Sequence, residues 1–304
     1  MKTSRSPEEK LTRVSAATLR RWPLPVLDGE LGKVVRGKVL VFGGSDEVPG
    51  AALLAAVAAL RAGAGTLQIA TTRRMAPHLA VAVPEARVIG LASTRHGEIA
   101  ASGVTRLRKE VACADAILVG PGMVDQAAAA ALIALHARST ATATLVLDAG
   151  ALAIFGGARP PTLGPRTILT PHAGEMAKLC AIDCDQVLAR PQALACETAA
   201  RLGVVVVLKG ARTYVAAPDG TCYVNTAGNL GLGTSGSGDT LSGVIAGLCA
   251  RGAEPLQAAV WGVFLHARAG EVLARKVAPL GFLARELLDE IPPLVTHHGP
   301  ARRR

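Results

Sequence analysis

Residues Asn229–Gly243 read NLGLGTSGSGDTLSG, and the parsing of this stretch decides between two α/β folds. Gly231-x-Gly233-x-x-Gly236 matches the dinucleotide fingerprint GxGxxG. That fingerprint belongs in a first strand–turn–helix unit, with an acidic residue closing the next strand. Here it comes late, after a hairpin pattern, and helices follow it, so the dinucleotide reading fails. The other parse sets Gly236, Ser237 and Gly238 directly ahead of a helix that begins near Asp239. Small residues let a ligand approach the backbone, and a helix's first N–H groups lack internal partners. With the helix dipole they suit a phosphate. Asp239 then stands beside that anion, able to orient a hydroxyl or accept its proton. Helix capping is the alternative use of a carboxylate there. The glycines crowded ahead of Asp239 favour catalysis.

Upstream, apolar runs of strand length alternate with helical patterns. Lys38–Phe42 (KVLVF) meets the Gly-rich turn Gly43–Gly50, and Ala51–Ala62 is helical. Thr66–Ala70, Ala116–Val119, Leu145–Leu147, Thr167–Leu169 and Val204–Leu208 are further strands, with a helix over Gln126–Ala137. Thr213–Ala217 and Thr221–Val224 flank Pro218-Asp219-Gly220 as a hairpin. Two helices, about Thr240–Cys249 and Leu256–Lys276, finish the core. The alternation predicts a mostly parallel sheet covered on both faces, with a late β-hairpin. One domain over 37–292 is expected, with an amino-terminal extension (1–36) and a basic tail (293–304).

In such sheets the ligand crevice lies beyond the carboxyl ends of the strands. Lys209-Gly210-Ala211-Arg212-Thr213 follows a Val-rich strand, where a charge is costly unless an anion meets it. Thr170-Pro171-His172-Ala173-Gly174-Glu175 follows another. His172 can bond a substrate, and Glu175 can hold a metal-bound water or cap the next helix. Asp148 ends its strand, as a Mg²⁺ partner or a turn cap. The turns Gly43–Gly50 and Gly120-Pro121-Gly122 offer backbone surface. No GxxxxGK[ST] occurs, so this is not a P-loop protein.

The 304 residues carry 33 basic and 23 acidic side chains, a formal charge of +10. Residues 1–38 hold nine basic and four acidic side chains, and Arg302–Arg304 end the chain. The middle keeps only about two of the ten charges. Aromatics are 3% of the chain, too few for a base-stacking surface, so nucleic acid is not an expected partner. The six cysteines lack CxxC spacing; Cys180 and Cys184 lie one helical turn apart, and reduced thiols suit a cytoplasmic protein. MKTSRSPEEK has no apolar signal core and no run is long enough to cross a bilayer, so no membrane partner is expected.

The segments 37–65, Val119–Gly122 (VGPG), Leu169–Glu175 (LTPHAGE), Lys209–Thr213 (KGART) and Asn229–Gly243 together resemble the ribokinase-like superfamily. Within it their order is similar to the ADP/ATP-dependent NAD(P)H-hydrate dehydratases. The likeness implies a three-layer α/β/α fold and a lyase that restores NAD(P)H from the S epimer of its hydrate. The implied chemistry is phosphorylation of the hydroxyl followed by loss of phosphate, with ADP or ATP as co-substrate and Mg²⁺ as cofactor. Asp239 would be the base. Ala51, Gly122, His172 and Asp239 match hydrate-binding positions. Lys209, Gly210, Ala211, Arg212, Thr213 and Gly238 match the adenine-nucleotide site, with Gly236, Ser237 and Gly238 around the transferred phosphoryl group. The family likeness further implies a homo-oligomer, a tetramer. Only about 36 residues precede the first core strand, so no epimerase domain is expected. Asp46 and Glu47 put acid where the family's first turn is neutral.

Overall fold

Alternation within the apolar runs builds the layers. Strand side chains point to opposite faces in turn, so Val39 and Val41 enter one core while Leu40 and Phe42 enter the other. The same split recurs at Leu118 against Ile117 and at Val207 against Val206. The computed structural model describes residues 11–26, 36–139, 142–156, 161 and 163–299.

The sheet contains β1 (Leu11–Arg13), β2 (Lys38–Phe42), β3 (Thr66–Thr72), β4 (Ala86–Leu91) and β5 (Ala116–Val119). It continues through β6 (Thr144–Leu147), β7 (Thr167–Leu169), β8 (Val205–Leu208), β9 (Thr213–Ala216) and β10 (Cys222–Asn225). Strand order is β1-β10-β9-β8-β7-β6-β5-β2-β3-β4. From β8 through β4 every neighbouring pair is parallel, while β9 runs antiparallel to both β8 and β10. The expected parallel sheet and late hairpin are both present.

Helices α1 (Ala16–Arg21), α2 (Pro49–Arg61), α3 (Ala76–Ala82), α4 (Arg108–Cys113) and α5 (Gln126–Ala137) accompany the first strands. After them come α6 (Ala173–Cys180), α7 (Cys184–Ala189), α8 (Pro191–Leu202), α9 (Ser237–Ala250), α10 (Pro255–Lys276) and α11 (Ala284–His298). Helices α2, α9, α10 and α11 cover one face of the sheet; α5, α6 and α8 cover the other. None of the described helices is long and apolar enough to cross a membrane.

Three expectations need correction. The core ends in three helices rather than two. In α11, Ala284, Leu287, Leu288 and Ile291 are buried at helical spacing, and that face overrides the breaking signal of Pro292 and Pro293. This helix crosses the expected start of the tail at 293; Arg302–Arg304 lie outside the described residues. In the amino-terminal region, β1 pairs with β10 and Leu19 of α1 is buried, so residues 11–26 belong to the body of the fold. Cys180 and Cys184 do not share a helix. Ala181, at φ +53°, ends α6 in the left-handed region, and Cys184 opens α7. All six cysteines are free thiols.

The seam between α2 and α9 sets the position of the glycine-rich stretch. A Cβ on Gly243 would lie 2.2 Å from the Ala55 carbonyl oxygen, and one on Gly247 would lie 2.3 Å from that of Ala59. Glycine thus lets the two backbones touch, and the close packing holds the N-terminus of α9 against the rim of the sheet.

Candidate active site

Helix α9 begins at Ser237, two residues before the expected start. Its N-cap, Gly236, sits at φ +85° and supplies no side-chain bond. A Cβ there would meet Leu54 Cδ1 at 2.4 Å, so the glycine answers both to conformation and to the neighbouring α2. Asp239 is the third residue of the helix and is not its cap. Burial, and then the neighbouring Asp148, push its pKa up to about 6 against the pull of Lys209. Its carboxylate is therefore ionised at neutral pH yet basic enough to take a proton.

Lys209 follows β8. Its side chain is 18% exposed, and its Nζ lies 2.9 Å from Asp148 Oδ1 and 3.9 Å from Glu175 Oε2. A Cβ on Gly238 would come within 3.3 Å of the same nitrogen. Burial alone would lower the Lys209 pKa; Asp148, Glu175 and Asp239 outweigh it and hold the ammonium above its ordinary value. The anion demanded by a buried strand-end lysine is thus supplied within the protein by Asp148, which is 2% exposed. That pairing also gives Asp148 a role that neither a turn cap nor a metal partner would have described.

The chain after β7 continues along the same rim, where His172 makes a parallel bridge with Lys209. His172 is the N-cap of α6. Its Nδ1 accepts from the Gly174 amide at 3.0 Å and the Glu175 amide at 3.3 Å, while Glu175 Oε2 accepts from the His172 amide at 2.8 Å. With Nδ1 accepting, a neutral ring carries its proton on Nε2. The side chain remains 59% exposed, with Nε2 lying 3.5 Å from Glu175 Oε1. Of the two uses expected for Glu175, capping is the one its geometry shows.

At the switch in strand order between β2 and β5, two turns clasp each other. The Gly44 amide donates to the Pro121 carbonyl at 2.7 Å, and the Ser45 amide donates to that of Gly122 at 3.0 Å. Gly122 has φ +70°, and a Cβ there would lie 3.2 Å from the Ala51 Cβ. Ala51 and Gly122 are therefore neighbours. The acid in this turn is engaged elsewhere: Asp46 accepts from Thr72 Oγ1 at 2.6 Å and pairs loosely with Arg74 at 3.8 Å. In the hairpin that follows Lys209, Gly210, Ala211 and Arg212 are exposed, and Thr213 Oγ1 donates to the Gly210 carbonyl at 3.3 Å.

One pair was not anticipated. Ser237 Oγ and His266 Nε2 lie 3.0 Å apart, both buried behind the start of α9. Burial lowers the His266 pKa to about 4, so this ring is neutral. The only sequence signal was a histidine on an apolar helix, which ordinarily marks packing.

Among the described residues no cluster of three or more His, Cys, Asp or Glu side chains forms a metal cage. Asp148 and Glu175 are nevertheless two carboxylates on either side of the Lys209 ammonium, near the start of α9. That donor set fits Mg²⁺ carried in on phosphate oxygens and water, its usual mode of binding.

A family model described as NAD(P)H-hydrate dehydratase matches residues 39–293. The chain is 49% identical over 286 residues to the ADP-dependent (S)-NAD(P)H-hydrate dehydratase of Xanthomonas campestris, covering 94% of this chain and 96% of that one. It is 37% identical to the bifunctional NAD(P)H-hydrate repair enzyme of Moorella thermoacetica, over 92% of this chain and 53% of that protein. A crystal structure of the ADP/ATP-dependent NAD(P)H-hydrate dehydratase from Bacillus subtilis, co-crystallised with ATP and Mg²⁺, superposes with a TM-score of 0.77. It is 33% identical, and the match spans 94% of this chain and 98% of that one.

Proposed function

The chain belongs to the NAD(P)H-hydrate dehydratase family, and on that premise we propose that it drives water out of the S epimer of NAD(P)H hydrate at the expense of ADP or ATP. The observation that carries the reading is Asp239, a half-buried carboxylate with a pKa near 6, beside an uncapped helix N-terminus and the Lys209 ammonium.

A hydroxyl is a poor leaving group, and phosphorylation converts it into a good one. Asp239 takes the hydroxyl proton as the oxygen attacks the terminal phosphorus, and AMP leaves from ADP, or ADP from ATP. The backbone at Gly236, Ser237 and Gly238 faces the charge that develops on the transferred group. Phosphate then departs with the electrons of its C–O bond. The adjacent ring carbon gives up a proton to the phosphate or to water, and its C–H electrons form the double bond, which restores the reduced nicotinamide. Lys209, Gly210, Ala211, Arg212 and Thr213 form the nucleotide side of the site, while Ala51, Gly122 and His172 hold the hydrate. Mg²⁺ supplies charge neutralisation on the nucleotide phosphates, with Asp148 and Glu175 as the carboxylates that would hold its water. A cytoplasmic location and a homo-oligomer, a tetramer, complete the reading.

The test is direct. Hydrated NADH incubated with ADP and Mg²⁺ should regain the absorbance of NADH with the S epimer and release free phosphate. Phosphate retained on an organic product would instead identify a small-molecule kinase.

A further inference from the structure

Helix α10 turns one stripe toward the glycine-rich stretch. Gly262, His266 and Gly270 recur every four residues and therefore share a face. A Cβ on Gly262 would lie 2.5 Å from Ile245 Cγ1 of α9. One on Gly270 would lie 2.7 Å from Leu232 Cδ2, in the single turn Leu230–Leu232 ahead of α9. On either side, then, glycine lets α10 close on its neighbours. Between the two stands a buried imidazole, whose Nε2 meets Ser237 Oγ at 3.0 Å. Further along the helix, Glu271 Oε1 accepts from the Gly228 amide at 3.1 Å. The helix thus grips the stretch at Gly228 and again at Ser237.

We propose that His266 is a positioning residue for phosphoryl transfer: it fixes Ser237 from behind and so aims the first turn of α9 at the transferred group. The inference rests on the functional reading above and goes beyond it by adding a residue that acts through another. Ser237 is where the aim is set. Its amide donates to the Thr234 carbonyl at 3.2 Å, closing the turn that ends the stretch, and it opens the helix that carries Asp239. Its peptide link to Gly238 runs beside the Lys209 ammonium, where a Cβ on Gly238 would come within 3.3 Å of Nζ. A rotation of Ser237 would therefore move the Gly238 amide and the Asp239 carboxylate together. The N-cap Gly236 has no side chain to resist it. The imidazole does resist it. Burial lowers the pKa of this ring, and a bond to the Ser237 backbone opposes that shift, so the ring holds main chain as well as hydroxyl. A buried histidine is a costly way merely to fill space, since an apolar pair of the same shape would join the two helices about as well. What the apolar pair would lack is direction. Groups that act on a transition state must be held within roughly 0.5 Å of their working positions, and a hydrogen bond from behind does this.

The experiment follows recovery of NADH from its S hydrate in the wild type and in four variants: His266→Leu, His266→Gln, Ser237→Ala, and Ser237→Ala combined with His266→Leu. Misplaced groups cost the transition state more than the ground state. His266→Leu should therefore lower kcat at least about tenfold and move the KM for ADP by less than about threefold. Glutamine can place an amide where Nε2 stands, so His266→Gln should recover most of the loss. Ser237→Ala breaks the same bond from the other side. Its loss should match that of His266→Leu, and the double variant should fall no further. Ile245→Ala, which opens a gap at the same helix contact, should lower the melting temperature while keeping kcat within about twofold. Wild-type kcat in His266→Leu, an equal fall in His266→Gln or Ile245→Ala, or losses that multiply in the double variant each overturn the proposal and leave a packing histidine. Should His266→Leu not fold, Ser237→Ala decides: a fall of about tenfold in kcat at steady KM supports the proposal, and an unchanged kcat overturns it. Absence of NADH recovery by the wild type defeats the functional reading itself and the proposal with it, an outcome distinct from any loss confined to the variants.

Discussion

Helices α6 and α9 both begin at the ligand rim of the sheet, and they treat their N-termini in opposite ways. At α6 the His172 ring and the Glu175 carboxylate satisfy three amides between them in a reciprocal capping box. At α9 the cap is Gly236, with no side chain to offer, and the start of the helix faces a lysine ammonium. A helix N-terminus attracts anions in either case. One is filled by the protein's own carboxylate and stays fixed. The other has no capping side chain at Gly236, its first-turn carboxylate Asp239 bonding its own amide, and the positive charge beside it is held in place by Asp148. The difference teaches that an anion site is made as much by withholding a cap as by adding a donor.

The sharpest way to break this contrast is Asp239→Asn. Losing a general base should lower kcat by at least about a hundredfold, measured by recovery of NADH absorbance. A loss of only a few-fold would reduce Asp239 to a structural residue. The same variant should be more stable than the wild type above pH 6. The folded carboxyl titrates near 6 and an unfolded aspartate near 4, so the folded state binds the extra proton between them. Wild-type stability therefore carries a contribution that falls as pH rises through that window. Thermal unfolding of the two proteins should converge toward pH 4 and separate above 6.

The same carboxylate sets the pH profile. Only its ionised form takes a proton, so kcat/KM should rise about tenfold per pH unit up to about 6 and level off above it. Lys209 pulls the Asp239 pKa down, so Lys209→Met should move the inflection to higher pH. An unmoved inflection would assign the titration to another group. Because the change also strands a 2%-exposed Asp148, a stability loss of about 3–5 kcal/mol should accompany it, and Lys209→Met with Asp148→Asn should recover much of that.

What the sequence revealed follows the same division between backbone pattern and side-chain partnership. The central strands were legible because both of their faces are buried, leaving apolar runs such as KVLVF and VVVL. Edge strand β4 (ARVIGL) was missed because Arg87 interrupts its run, reaching out to Glu110 at 3.0 Å. Helix α11 was hidden by its proline pair. At the rim, local spacing sufficed to bring Lys209, His172, Gly238 and Asp239 into one frame. It did not reveal that Lys209 belongs to Asp148, 61 residues away, or that Ser237 rests on His266. Those choices of partner are made by tertiary packing and leave no periodic trace.

A third test loads the bare helix start. Gly238→Ala adds a methyl group whose nearest neighbour would be the Lys209 Nζ at 3.3 Å. Within a helix, alanine in place of glycine costs no stability and adds about 0.4–1 kcal/mol where the backbone permits it. The methyl would nonetheless occupy the space between the ammonium and an incoming phosphate. Nucleotide binding measured by calorimetry should weaken about tenfold, about 1.4 kcal/mol, while the melting temperature holds or rises. Unchanged affinity would move the phosphate away from Gly238.

The smallest expected effect sits at α6, where capping and substrate contact can be pulled apart. His172→Ala removes the Nδ1 acceptor from two amides and should cost about 1 kcal/mol of stability, the usual scale for an N-cap. Asparagine is a strong N-cap residue whose oxygen can take over that acceptor role, so His172→Asn should unfold within a few tenths of a kcal/mol of the wild type. Its side chain is shorter and lacks the Nε2–H that lies 3.5 Å from Glu175 Oε1. If the ring contacts the hydrate, both variants should raise the KM for the hydrate by the same factor while leaving that for ADP alone. Were the asparagine variant to match the wild type in KM as well as stability, the imidazole would be only a cap, and the contrast between α6 and α9 would be complete: one helix start wholly closed, the other wholly open to ligand.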